Sequence, residues 1–206
     1  MPVPKASQSK TFFFFAAAWI AKRLYQLYFR TICLRVVNGQ YENLRGRSAD
    51  VVYACWHAKT FLLLPHIQGW SVAVLTLLDW KNFFYDKLCL LYGCKTVPTT
   101  DSAMSTLKLI RYLRDGTSVL LAVDGPKGPR GVVRPGAAYL SKKTAKPIVT
   151  IQVNVEKSFR LKDRWDYYEI PFPFSIATIT FSEPFHVTDD NKDHVPLWMA
   201  QTLGEF

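Results

Sequence analysis

Along the chain, short apolar bursts alternate with longer stretches in which apolar residues recur every three or four positions. The bursts VVYAC (51–55), SVAVLTL (71–77), CKTV (94–97), SVLLAV (118–123), PIVTIQVNV (147–155) and ATITFS (177–182) each predict a β-strand. Between them the spacing predicts a helix running through Leu64 and another over WKNFFYDKLCLLY (80–92) ending at Gly93. A third starts at Ser102, carries the stripe Met104, Leu107, Ile110, Tyr112 and Leu113, and closes at Gly116. AAYLSKKTA (137–145) and a segment from about Val195 predict two more. Strands separated by helices in this way predict a single α/β domain, its central sheet largely parallel and flanked by helices. Such sheets bind ligands beyond the carboxyl ends of their strands. Trp56-His57, Asp79, the trio Thr99, Thr100 and Asp101, and the loop DGPKGPRG (124–131) all fall there.

The N-terminal pattern is different. TFFFFAAAWIA (11–21) is apolar after Thr11 and is followed at once by Lys22 and Arg23. Eleven residues are too few to cross a bilayer, which takes about 20. KRLYQLYFR offers no small-residue cleavage site for a signal peptide. The helical spacing continues through Leu24, Leu27, Tyr28, Ile32 and Leu34, interleaved with Arg30 and Arg35. An apolar, aromatic helix carrying cations has the composition of an interfacial membrane helix. The expected division is a membrane-associating helix over 1–37 and the α/β domain over 38–206.

Charge sharpens this. A formal net charge of +10 implies an anionic partner: nucleic acid, a membrane face or a phosphorylated substrate. The cations are scattered apart from the N-terminal helix and the segment 127–134, which disfavours nucleic acid. Four cysteines without CxxC spacing read as buried thiols, with neither a disulfide frame nor a metal site.

DGPKGPRG breaks off a core strand abruptly. Its glycine period stops at Gly131, so it is no collagen repeat; it lacks the Walker spacing, and no G-x-S-x-G elbow occurs in the chain. Pro126 and Pro129 stiffen it enough to aim Lys127 and Arg130. His57 alone among the histidines directly follows a predicted core strand and suits proton transfer near neutral pH. His66, His186 and His194 read as surface residues.

WHAKTFLLLP, LLDWKNFFYDKLCLLYGCKTV, VDGPKGPRGVVRPGAAYLSKKTAKPIV and RWDYYEIPFPFS together resemble the lysophospholipid acyltransferase superfamily over residues 20 to 190. The similarity is greatest to its small bacterial branch with a Trp-His segment and an Asp-Gly-Pro-basic-Gly-Pro-Arg loop, part of which acylates lipid A precursors. The resemblance implies a glycerophosphate-acyltransferase-like fold. It also implies a membrane-associated enzyme, peripheral or monotopic on the cytoplasmic face of the bacterial inner membrane. The acyl donor would be an acyl-carrier protein or acyl-coenzyme A, with no bound cofactor, and the acceptor a lysophospholipid or lipid A-type precursor. His57 corresponds to the general base and Asp124-Gly125 to the acid-glycine pair. Lys127 and Arg130 stand where cations hold phosphate, and Pro147 where a proline shapes the acceptor pocket. Two positions depart from the superfamily. Leu62 replaces the aspartate that orients the histidine, leaving Asp124, and then Asp79, as candidate orienting carboxylates. VPTTDS lacks the third-loop arginine, for which Lys95, Thr99 and Thr100 are partial substitutes. The alternative expectation is a catalytically silent lipid-binding protein on the same scaffold.

Overall fold

The computed structural model describes residues 8–42, 50–77, 80–99, 102–125 and 128–204. The chain runs α1 (Gln8–Phe29), β1 (Cys33–Val37), β2 (Val52–Cys55), α2 (Thr60–His66), β3 (Val72–Thr76), α3 (Trp80–Leu91), β4 (Lys95–Pro98) and α4 (Ser102–Arg114). It continues through β5 (Ser118–Ala122), α5 (Gly136–Thr144), β6 (Ile148–Val155), β7 (Ser158–Arg160), β8 (Glu169–Pro171), β9 (Ile176–Phe181) and α6 (Val195–Leu203). Seven strands form one sheet in the order β1-β9-β6-β2-β5-β3-β4, and β7 and β8 form a separate ribbon. Every neighbouring pair in the main sheet is parallel except β6 with β9. The α/β domain with a largely parallel sheet is therefore the fold, as the alternation of strands and helices predicts.

Strand alternation sorts the core into two layers. Tyr53 and Cys55 of β2 face a cluster with Leu62, Leu63, Ile67, Trp70, Leu88 and Phe181. Val52, Ala54 and Trp56 face the opposite cluster, with Leu109, Leu113, Leu140 and Met199. With both faces covered, every residue of β2 is buried, as expected of a central parallel strand. His57 follows such a strand and so inherits a rigid base.

Five expectations are corrected. The N-terminal helix stops at Phe29 rather than continuing through Leu34, and Cys33–Val37 pairs in parallel with β9. The Cys33 N–H donates to the Ser175 carbonyl at 3.0 Å, so sheet pairing by a valine-rich segment overrides the helical period. The α/β unit thus includes residues 33–37, and Cys33 is exposed rather than buried. In α4 the buried positions are Ser105, Leu109 and Leu113, while Met104 and Leu107 are 63% and 59% exposed. His66 is not a surface residue: it packs between Trp70 and Phe181, 3.2 Å from Glu42, and burial depresses its pKa against the pull of that carboxylate.

Candidate active site

The carboxyl ends of the central strands open onto a cavity of about 410 Å³. His57 and Thr60 reach it from the turn after β2, Thr76 and Leu77 from β3, Thr99 from the end of β4 and Gly125 from the end of β5. Cys55, Val74, Leu75, Leu120 and Ala122 make its apolar wall. The strand-end rule thus brings together His57, Thr99 and Gly125. Asp79, Thr100, Asp101, Pro126 and Lys127 lie outside the described residues. Pro147 is at the other end of the sheet: its carbonyl accepts from the Val52 N–H, and it does not line the cavity. Proline stands there because it opens β6, one residue before the Ile148–Val52 pairing begins.

His57 sits on a single 3₁₀ turn, His57–Lys59, held at both ends. Its backbone N–H donates to Asp124 Oδ1 at 3.0 Å. Its imidazole Nδ1 meets Asp166 Oδ2 at 2.6 Å. The expected orienting partner, Asp124, is therefore corrected: it holds the main chain of His57, and the imidazole belongs to Asp166. The Asp124 oxygen is taken up by the His57 backbone N–H, whereas Asp166 comes from the 161–168 segment joining β7 to β8. Arg164 fixes Asp166 with two bonds of 3.0 Å, from Nε and Nη2, while Asp166 itself is fully buried. Arg164 also lines the cavity and lays its guanidinium 4.8 Å from the Tyr168 ring centre. Among the described residues it is the arginine that lines the cavity; of the two expected cations, Lys127 lies outside the described residues. Arg130 instead stacks 4.6 Å from the Tyr167 ring centre and is absent from the lining.

The DGPKGPRG loop is shaped by what closes over it. Gly125 has φ 68°, and a Cβ there would come within 3.1 Å of the Arg134 side chain. At Gly128, φ 69°, a Cβ would lie 2.7 Å from the Trp165 ring. Both glycines are required by close approach as well as by the left-handed backbone. Trp165 in turn lies 5.3 Å from the His57 ring, so it stands between Gly128 and the histidine.

The acids are electrostatically distinct. Burial raises the Asp124 carboxyl above its ordinary value, with the His57 N–H pulling the other way. Burial also acts to raise Asp166, but hydrogen bonds from Arg164 and His57 outweigh it and hold the group below its ordinary value. Asp166 is thus held as an anion, which can only accept, so the 2.6 Å contact places a proton on Nδ1. Two residues along, Lys59 forms an ion pair with Glu169, both nearly sealed from solvent. Burial raises Glu169, but Lys59 and Ser158 overcome it and set its pKa below the ordinary value.

A stability prediction follows from these signs. Carboxylates with lowered folded pKa contribute stability that is complete above their unfolded values, 3.8 for Asp166 and 4.5 for Glu169, and is lost as pH falls through the lowered folded values. Glu169→Gln should lower Tm at pH 7, by the equivalent of about 3–5 kcal/mol, because Lys59 is left buried and charged. It should also flatten the acid limb of Tm against pH. Calorimetry from pH 7 down to pH 3 checks both; an unchanged Tm at pH 7 would mean that the pair does not clamp the turn.

No protein-family model matches the chain. Its fold is that of the 1-acyl-sn-glycerophosphate acyltransferase PlsC from Thermotoga maritima, with a TM-score of 0.57 over 98% of this chain and 86% of that one at 13% identity. The likeness is one of fold, a largely parallel α/β sheet flanked by helices. In sequence, the chain is 28% identical over 165 residues, 71% of its length and 69% of the relative's, to the uncharacterized protein RP090 of Rickettsia prowazekii (strain Madrid E).

Proposed function

We propose that the protein is an acyltransferase working at a membrane surface, moving a fatty acyl chain from an acyl thioester to a lipid hydroxyl. The observation that carries this reading is the His57–Asp166 contact of 2.6 Å at an apolar-walled cavity. A carboxylate on Nδ1 leaves Nε2 to take the acceptor's hydroxyl proton. The oxygen then attacks the thioester carbonyl, the C–O bond forms, the C–S bond breaks, and the thiolate leaves with the proton from the imidazolium. The donor would be acyl-carrier protein or acyl-coenzyme A, and the acceptor a lysophospholipid or lipid A-type precursor. Arg164 would meet donor or acceptor phosphate at the cavity. The catalytically silent alternative was motivated by Leu62, and Asp166 now supplies the carboxylate whose absence favoured it.

The membrane part rests on α1. One side of it packs on the domain: Tyr25 donates to the Phe61 carbonyl, Tyr28 to the Pro171 carbonyl, and Lys22 Nζ to the Leu91 carbonyl at 2.6 Å. The other exposes Trp19, Ile20, Leu24 and Leu27, each 50–63%, among Arg23 and Arg30. None of the described helices is long and apolar enough to cross a membrane. An in-plane helix on an anionic surface, the cytoplasmic face of the bacterial inner membrane, accommodates both sides. The test is direct. Purified protein with lysophosphatidic acid or a lipid A precursor in vesicles, and each acyl thioester in turn, should yield a product heavier by one acyl chain in mass spectrometry. No acyl product from any pairing, with the protein folded and vesicle-bound, would overturn the reading.

A further inference from the structure

We propose that the outward face of the β7–β8 ribbon, with Phe174 at its exit, is a second bilayer contact that takes an anionic phospholipid surface and continues the one made by α1; its purpose, though not its binding, rests on the acyltransferase reading.

The ribbon has two unlike faces. In its register Ser158 opposes Pro171, Phe159 opposes Ile170, and Arg160 opposes Glu169. Ser158 and Arg160 both turn to Glu169, which lies on the buried side against Lys59. Alternation puts Phe159 and Ile170 on the opposite face, and Phe172, two residues beyond Ile170, on that face too. Phe159 and Phe172 are 51% and 49% exposed, and Phe174 is 82% exposed. Phe174 has φ 64°, a left-handed conformation that a side-chain-bearing residue seldom takes. The ribbon pairs with no strand of the main sheet, so nothing in the sheet requires an apolar outer face.

The exit of the ribbon is tied to the end of α1. The Phe174 N–H donates to the Thr31 carbonyl at 3.0 Å, and Tyr28 of α1 donates to the Pro171 carbonyl. Phe174 is therefore held two residues past the C-terminal end of α1, the helix that exposes Leu24 and Leu27. Charge selects the occupant. The first 41 residues hold six cations (Lys5, Lys10, Lys22, Arg23, Arg30 and Arg35) and no acid. The excursion is balanced, exposed Lys157 and Lys162 standing against exposed Glu156 and Asp163 with Asp166 and Glu169 buried and paired, so the excess positive charge is that of the α1 segment beside it. Phenylalanines flanked by lysine and arginine match the headgroup boundary of an anionic bilayer.

The placement has a consequence for the site. Residues 161–168, which carry Arg164, Asp166 and Tyr168, are the loop of this same ribbon. Seating the ribbon on lipid bears directly on the carboxylate that holds His57. Docking and orientation of the base are thus linked through one 16-residue excursion, 156–171.

The test uses full-length protein and sedimentation with vesicles of phosphatidylglycerol and phosphatidylcholine, without acyl donor. Phe174→Ser and Phe172→Ser should each lower the partition coefficient about tenfold and together about a hundredfold, with Tm unchanged because both rings are largely exposed. Should the double variant not fold, Phe174→Trp replaces it, and brominated lipid should quench more fluorescence than in the wild type. Wild-type-like partition of the serine variants, or no extra quenching at residue 174, overturns the proposal. So does absence of vesicle binding by the wild type, or a dimer in light scattering that the serine variants abolish, which would make the face a contact between copies. Lost partition in the variants, with no acyl transfer by any form, leaves this surface standing and removes the acyltransferase reading instead.

Discussion

His57→Ala should lower kcat for acyl transfer by about 10²–10⁴, the range that general-base assistance supplies. The fold should survive the change. His57 is on a short turn, and the contacts fixing that turn use its backbone: the N–H to Asp124 and the carbonyl accepting from Thr60 Oγ1 at 2.9 Å. Removing the ring does not strand Asp166 either, because Arg164 keeps both bonds to it. The loss should therefore appear in kcat, with KM for donor and acceptor near wild type and Tm little changed. Thiol release from the acyl donor, followed with saturating acceptor, measures it. Full turnover by His57→Ala would mean that the chemistry lies elsewhere.

How much of this was legible beforehand differs by layer. The six strands predicted from the apolar bursts all appear within a residue or two of their expected bounds. β2 is buried along its whole length and leaves an unbroken apolar run, while β9 alternates buried and half-buried positions and leaves an alternating one. β1, β7 and β8 were not visible. Cys33–Val37 continues the apolar spacing of α1, and only its pairing with β9, far along the chain, makes it a strand. The ribbon strands are three residues each and are set by tertiary contacts with Lys59 and α1. The same division runs through the site. His57, Thr99 and Gly125 follow core strands, so strand order alone places them at the cavity. Asp166 and Arg164 reach it from a loop 109 residues from His57 in sequence, and no local pattern encodes such a contact. The signal that existed was compositional. RWDYYE sets an acid among an arginine and three aromatics, an unusual setting for a surface loop and suited to a buried, paired carboxylate.

Asp166→Asn should cost about as much as removing the histidine, again roughly 10²–10⁴ in kcat, although the substituted atom touches no substrate. The carboxylate accepts the Nδ1 proton at 2.6 Å and so keeps Nε2 free to accept. Arg164 donates to both oxygens, Nε to Oδ1 and Nη2 to Oδ2, and Oδ2 is also the oxygen that meets Nδ1. Asparagine has one oxygen for these three donors, so its NH₂ opposes either the imidazole or the guanidinium. Where it faces the imidazole, the ring proton moves to Nε2 and blocks the step Nε2 should perform; where it faces Arg164, the imidazolium formed in the reaction still loses the negative charge that stabilises it. Burial makes the effect large, since Asp166 is fully sealed and water cannot stand in for the lost oxygen. A merely structural role predicts a different result, with Tm and both KM values shifting and the loss adding to that of His57→Ala. A positioning role predicts that Asp166→Asn and His57→Ala are grossly non-additive, the double variant being no slower than His57→Ala alone. Four kcat values complete the cycle. If the two losses multiply, Asp166 acts independently of the imidazole and does not orient the base.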